Sequence, residues 1–300
     1  MRRALWLLGL VILAGFAAFW VITRPADLPD SFVQAMDSHD ADAARGEEVF
    51  WAAGCSGCHI APGIEFDADL DERLVLSGGR QFETGFGTFT APNISPDPEA
   101  GIGEWGRDDF ARAMVLGVTP GGTHYYPAFP YTTYSAATPE DVADLWAFWQ
   151  TLPSDATPSQ PHELPVLLTL RRGVGLWKLA AGDATPPPVP DDPNLARGHY
   201  LVETLGHCAE CHSPRDALGR LDRQRGMAGA PNPSGDGRIP AIPPEDWSQE
   251  DIAAYLSSGF TPEFDVVGKS MADVVVQLAQ LPDEDVEAIA AYLLTLDEAD

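Results

Sequence analysis

Cys55-Ser56-Gly57-Cys58-His59 and Cys208-Ala209-Glu210-Cys211-His212 decide how this chain folds and what it carries. The five-residue pattern occurs twice, and its two copies use all four cysteines of the 300-residue protein. Two thiols three positions apart lie on one helical turn, where both can reach the vinyl groups of one porphyrin and become thioethers. The histidine that follows then lies under the iron and supplies one axial nitrogen. Two disulfides, or one zinc ion held by a pair of C-x-x-C knuckles, would also use four cysteines. Neither needs a histidine directly after each pair, and the chain has only 7 histidines in all. A zinc ribbon also wants its knuckles far closer than Cys58 and Cys208. The expected cofactors are two covalently attached haem c groups. Cys55, Cys58, Cys208 and Cys211 are the attachment points, and His59 and His212 are the proximal metal ligands.

The charge balance bounds the partners. Forty-five acidic residues against 18 basic ones give a formal net charge of −27, to which haem propionates would add. That excludes nucleic acid and favours a partner with a basic docking face. A solvated acidic surface suited to a salty or extracellular medium is an equally compatible reading. Ala4 to Ile22 is a run of 19 apolar or glycine residues between Arg2-Arg3 and Arg24. As a helix it rises about 28 Å, enough to cross a hydrocarbon core. The leading arginines should stay in the cytoplasm, while the stretch holding Asp27, Asp30, Asp37 and Asp40 is free to cross. A cleaved signal peptide is the competing reading, with Gly15 and Ala17 small enough for a cleavage site. Phe19-Trp20-Val21-Ile22 extends the apolar run beyond that site, so an uncleaved anchor over residues 1–24 is expected. Either way the rest of the chain is exported, to the side where haem is joined to cysteine pairs.

The length suggests about two domains, and the sequence repeats itself. Glu104-Trp105-Gly106-Arg107-Asp108-Asp109-Phe110 matches Asp246-Trp247-Ser248-Gln249-Glu250-Asp251-Ile252, and Gly117-Val118-Thr119-Pro120 matches Gly259-Phe260-Thr261-Pro262. The segments 141–152 and 285–296 share apolar positions at helical spacing and an acidic first turn that suits the helix dipole. Each copy also opens with a helix, near 41–53 and 193–205, that runs into its cysteine pair. Gly46 with Phe50, and Gly198 with Val202, set a small and a bulky residue one turn apart, so another helix can cross closely. The closing helix of the same copy is the expected partner. This order resembles the class I cytochrome c fold. The expected fold is mainly α, with two tandem class I cytochrome c domains at 25–153 and 193–300. A proline-rich connector at 154–192 joins them behind one N-terminal transmembrane helix. Within the connector, Leu164 to Ala181 mixes leucines with Arg171, Arg172 and Lys178. It reads either as a helix packed across both domains or as a segment touching a partner or the membrane.

The sixth ligands need more argument. Met271 lies in a loop before the last helix, where a thioether can swing over the iron and favour its reduced form. In the first copy the position equivalent to Met271 is Phe129, which cannot coordinate iron. Met114 falls inside an apolar helical pattern and reads as core. His124 is the better donor, Tyr125 or Tyr126 are weaker ones, and an open iron is the remaining option. Haem 1 is therefore expected to be either bis-histidine or open to small ligands.

Phe86 to Pro98, Gly101 to Trp105, Tyr125-Tyr126-Pro127-Ala128-Phe129-Pro130-Tyr131, Trp177-Lys178-Leu179 and Gly206 to Arg215 together resemble the cytochrome c subunits of membrane-bound alcohol and gluconate dehydrogenases. The likeness covers roughly residues 40 to 297. In that family the tyrosine-proline-alanine segment continues with methionine, where Phe129 stands here. The family's third haem domain has no counterpart, because only two cysteine pairs exist. The resemblance implies that Pro62 and Pro214 shape the loops beneath the proximal histidines, where a backbone carbonyl accepts from the ring N–H. It makes Arg215 a candidate contact for a haem propionate, against the plainer reading of a solvent-facing arginine. Trp105 and Trp247 are either haem-packing or core aromatics.

The implied function is electron transfer by a membrane-anchored periplasmic diheme cytochrome c. It would take single electrons from an exported dehydrogenase or other donor and pass them to the respiratory chain, with a cytochrome or oxidase as acceptor. No catalytic side chain is expected. The alternative is a diheme oxidoreductase or peroxidase with small-molecule chemistry at an open haem 1.

Overall fold

The computed structural model describes residues 2–65, 68–181, 186–222, 225–232, 237–268 and 270–297. In chain order the helices of the first half are α1 (Arg2–Ile22), α2 (Asp30–Ser38), α3 (Ala43–Ala52), α4 (Cys55–His59), α5 (Leu70–Arg73), α6 (Arg107–Leu116), α7 (Tyr131–Tyr134) and α8 (Pro139–Trp149). A connector helix α9 (Arg172–Ala181) leads to α10 (Pro193–Tyr200), α11 (Ala209–His212), α12 (Gln249–Ser258), α13 (Ser270–Leu278) and α14 (Asp283–Asp297). Two small antiparallel hairpins interrupt them, β1 (Gln81–Thr84) with β2 (Gly87–Thr90) and β3 (Ala230–Pro231) with β4 (Arg238–Ile239). The mainly α reading did not anticipate these hairpins.

Each half is built on one helix crossing. Asp42 caps α3 by accepting from Ala44 N, and Thr138 caps α8 by accepting from Asp141 N. The two helices cross at Gly46, where an added Cβ would lie 2.0 Å from the Asp144 carbonyl oxygen. The buried Asp144 carboxylate pins the crossing, accepting from Asp42 N at 2.6 Å and from Arg45 Nε at 3.1 Å. The second half repeats this with α10 and α14. A Cβ on Gly198 would lie 2.0 Å from the Ala288 oxygen, and Arg197 forks onto Asp285 at 2.8 and 2.6 Å. The small-and-bulky spacing read from the sequence is thus a pair of close helix crossings, each with the closing helix of its own copy.

The middle helices α6 and α12 also correspond. Asp109 and Asp251 accept from the Gly106 and Ser248 amides at their starts. Gly117 and Gly259 end them in the left-handed region, at φ +58° and +76°, where a side chain would be strained. Trp105 and Trp247 pack against the core, partly buried.

The two halves do not have separate interiors. One continuous apolar cluster runs from Phe50, Trp149 and Phe110 through Leu201, Leu205 and Ile289. The connector adds to the union. Asn93 Nδ2 donates to the Asp155 and Thr157 carbonyls, both at 2.8 Å, holding the irregular segment after α8. In α9, Lys178 Nζ donates to the Leu116 and Gly117 carbonyls of the first half, and Trp177 Nε1 donates to Leu218 O of the second. Of the two readings of Leu164 to Ala181, α9 satisfies the one that packs across both halves.

Helix α1 contributes no buried side chain and is long and apolar enough to cross a membrane. It ends at the buried Thr23, against which α9 packs at Gly175.

Candidate haem-binding sites

Both cysteine pairs lie on short helical turns entered by tight backbone. Gly54, at φ +69°, turns the chain from α3 into α4. In the second half α10 widens into a π-helical turn over Leu201–Leu205, and His207 takes φ +41° just before Cys208. No disulfide joins any two of the four cysteines. Burial, followed by the neighbouring Cys58, pushes the Cys55 thiol up to about 12. Burial likewise takes Cys58 to about 11 and Cys208 to about 12. Among the described residues no three His, Cys, Asp or Glu side chains converge on a common metal point.

The histidines fit haem iron. His59 Nδ1 lies 2.9 Å from the Pro92 carbonyl oxygen, and His212 Nδ1 lies 2.8 Å from that of Pro240. A carbonyl can only accept, so each Nδ1 carries the proton and each Nε2 lone pair is left for a metal. Burial lowers His59 to about 4, with the Pro92 hydrogen bond opposing, and burial lowers His212 against the same effect from Pro240. Both rings are therefore neutral at physiological pH, the form that ligates. The backbone completes the likeness between the sites. The His59 carbonyl accepts from Gly78 N and the His212 carbonyl from Gly229 N, each at 2.7 Å.

The carbonyls that orient the rings come from Pro92 and Pro240, separated from their histidines by 33 and 28 residues. The loops of Pro62 and Pro214, where such a carbonyl was expected, do not provide them. Pro62 stacks on Gly79, and Pro214 accepts from Asp222 N. Pro92 does lie within the proline-asparagine stretch that carried the family resemblance. That stretch was the available signal, though it gave no role to the carbonyl. Arg215 does not face open solvent alone. It pairs with the Glu210 carboxylate and donates to the Glu210 and Gly219 carbonyls.

The two attachment turns adjoin. Buried Tyr134 donates from its hydroxyl to Ala53 O, just before α4, and sets its ring edge-on to His207, just before Cys208, at 5.5 Å between centroids. Cys211 is close enough to Cys58 to help raise its pKa. Gln277 of α13 reaches the amide of Gly57, inside the first motif, at 3.4 Å.

A family model described as "Cytochrome c" matches residues 43–153 and again 195–297. The chain belongs to the cytochrome c family. It is 51% identical, over 98% of both chains, to a diheme cytochrome c-type protein of Cereibacter sphaeroides. It is 34% identical to the fructose dehydrogenase cytochrome subunit of Gluconobacter japonicus, over 85% of this chain and 53% of that one. The gluconate 2-dehydrogenase cytochrome c subunit of Pantoea cypripedii is also 34% identical, over 88% of this chain and 61% of its own length. The cytochrome thus spans little more than half of those two dehydrogenase subunits. It is an electron carrier with two cytochrome c domains and two covalently bound haem c groups.

At the positions expected to be distal this cytochrome's two halves differ. Met271 does not lie in the expected loop: it is the second residue of α13, partly buried against the core. The helix is held by the first half: Asp273 accepts from Arg73 at 3.3 Å and from Arg80 at 2.8 Å. Phe129 packs beside Tyr134, Tyr125 and Tyr131, at 5.9, 5.8 and 6.3 Å between ring centroids. The structure groups His124 with Thr23, Gly175 and α9 rather than with α4. Its Nε2 donates to Thr23 O at 3.0 Å, and its buried Nδ1 has no hydrogen-bond partner. Burial, then the nearby Lys178, Arg172 and Arg112, lowers its pKa. The hydroxyl of Tyr126 is committed to Leu168 O, and Met114 is core as expected.

Proposed function

We propose that this cytochrome is tethered by α1 to the periplasmic face of the cytoplasmic membrane, and that it passes single electrons from an exported dehydrogenase toward the respiratory chain. In this reading residues 1–24 are the anchor, 25–153 and 193–300 the haem domains, and 154–192 the connector. His59 and His212 are the proximal ligands and Met271 is the distal ligand of haem 2. Haem iron supplies the one-electron redox couple, and the protein sets its potential by axial ligand, burial and charge.

The observation that carries the reading is the contact between the two attachment turns through Tyr134, His207 and the Cys58–Cys211 neighbourhood. Two one-electron centres held that close form a relay. The apolar, exposed α1 supports the tether, and the dehydrogenase subunits among the relatives support the class of donor. The acidic surface favours a basic docking face on the partner.

Haem 1 is the point of choice. Phe129 fills the expected methionine position, and the neighbours of His124 favour a haem 1 without a histidine on its distal side. A spectroelectrochemical titration should resolve two one-electron waves, with haem 2 at the higher potential. Two superimposed waves at a methionine-type potential would overturn the assignment. Fast carbon monoxide and peroxide binding with turnover would instead favour small-molecule chemistry at haem 1.

A further inference from the structure

We propose that the connector segment from Val166 to Leu179 is a second membrane contact, lying in the headgroup–acyl boundary beside the exit of α1. The inference rests on the reading of α1 as an anchor. Val166 and Leu167 are 86% and 83% exposed, Leu170 and Leu179 59% and 60%, and Leu176 41%. These five apolar side chains fall within 14 residues of a chain that is otherwise strongly acidic.

They are not exposed because the segment hangs loose. Tyr126 holds the Leu168 carbonyl at 2.7 Å, and Arg171 donates to His124 O at 3.1 Å while covering the Tyr126 ring at 4.2 Å. Packed on the body on one side, the segment keeps its leucines facing away.

What would cover them follows from where the segment is fastened. Arg172 donates to Trp20 O at 2.5 Å and to Thr23 Oγ1 at 3.0 Å, and its guanidinium lies over the Trp20 ring at 4.3 Å. Gly175 lets α9 close on Thr23, where a Cβ would meet the Thr23 side chain at 2.8 Å. Trp20 belongs to the last turn of α1, where tryptophan marks the level of the lipid headgroups. The start of α9 is therefore fixed at that level. Between Leu164 and Ala181 the chain has no acidic residue, and Arg171 and Arg172 stand beside the exit of α1, while Lys178 turns inward to the Leu116 and Gly117 carbonyls. Apolar side chains with basic neighbours are the composition of an interfacial segment, and they attract anionic headgroups. A redox partner shaped to the rest of this acidic surface would be basic, and these arginines would repel it.

The test uses the full-length holoprotein at one copy per nanodisc of phosphatidylglycerol and phosphatidylcholine. The native cysteines are thioethers there, so an added cysteine is the only free thiol. Leu13→Cys, Leu167→Cys, Leu179→Cys and, as a control on α12, Ser257→Cys are treated with a membrane-impermeant maleimide and followed by intact mass. We expect Leu167→Cys and Leu179→Cys to label at least about tenfold more slowly than Ser257→Cys, with protection increasing with phosphatidylglycerol content. If Leu13→Cys is protected while Leu167→Cys and Leu179→Cys label at the control rate, the second contact is refuted and the anchor stands. If Leu13→Cys also labels freely, the anchor reading fails and takes this inference with it. If protection appears only at several copies per disc, the covering surface is another copy of this chain and the proposal is wrong.

Discussion

Single residues carry most of the haem chemistry, and they differ in how far the sequence exposes them. The Cys-x-x-Cys-His turns are legible because attachment and ligation are local, set by spacing on one helical turn. The carbonyls of Pro92 and Pro240 are not, because a hydrogen bond across 33 or 28 residues leaves no spacing to read. Phe129 was legible as a departure, and it supports a direct prediction. Phe129→Met places a thioether where only a ring now packs. It should raise the haem 1 potential and abolish carbon monoxide binding to that haem, as read by redox titration and flash photolysis. Conversely, Met271→Leu should lower the potential of haem 2 by part of the roughly 0.8 V range that axial ligation spans, and should remove the far-red methionine–iron band. Gly46 and Gly198 are a matched pair at the same scale. Each alanine substitution drives a methyl into a backbone carbonyl. The expected loss in chemical denaturation of the holoprotein is about 1–3 kcal/mol.

At the level of elements, the opening and closing helices follow from periodicity and caps, and the structure places them within a few residues of the expected bounds. The hairpins and the π turn at Leu201–Leu205 do not follow, since four-residue strands and one widened turn leave no periodic signal. The most consequential element is α13, which presents Met271 from the second half while its Asp273 is gripped by Arg73 and Arg80 of the first. Arg73 is fully buried, so removing its counterion strands a charge. Asp273→Asn should therefore cost about 3–5 kcal/mol in urea unfolding. It should also weaken the methionine–iron band of haem 2, although residue 273 touches no proposed ligand directly. A retained band with full stability would mean that the first half does not position this helix.

The whole molecule differs most from what the sequence suggests. Repeats and a proline-rich joint read as two beads, whereas one apolar interior passes through both halves. Contacts of that kind arise from surface complementarity between distant segments, which no local pattern encodes. Molecular scale also governs the response to acid. His162 and His207 are both lowered from 6.5, chiefly by burial. Below that value the unfolded chain binds protons that the folded one refuses, so stability is lost as the pH falls through 6.5, while at higher pH these groups contribute no slope. Thermal unfolding of the oxidised holoprotein should show a melting temperature that declines on acidification from pH 7, and His207→Gln should flatten that decline. The charge of −27 further predicts that electron transfer to a basic partner slows steeply with added salt, as measured by stopped-flow reduction. The grip of Arg73 and Arg80 on Asp273 has a last corollary for descent. Twin modules that share an interior and a buried charge can no longer be traded singly between genes, since a swapped half must bring its own carboxylate to meet two waiting guanidinium groups.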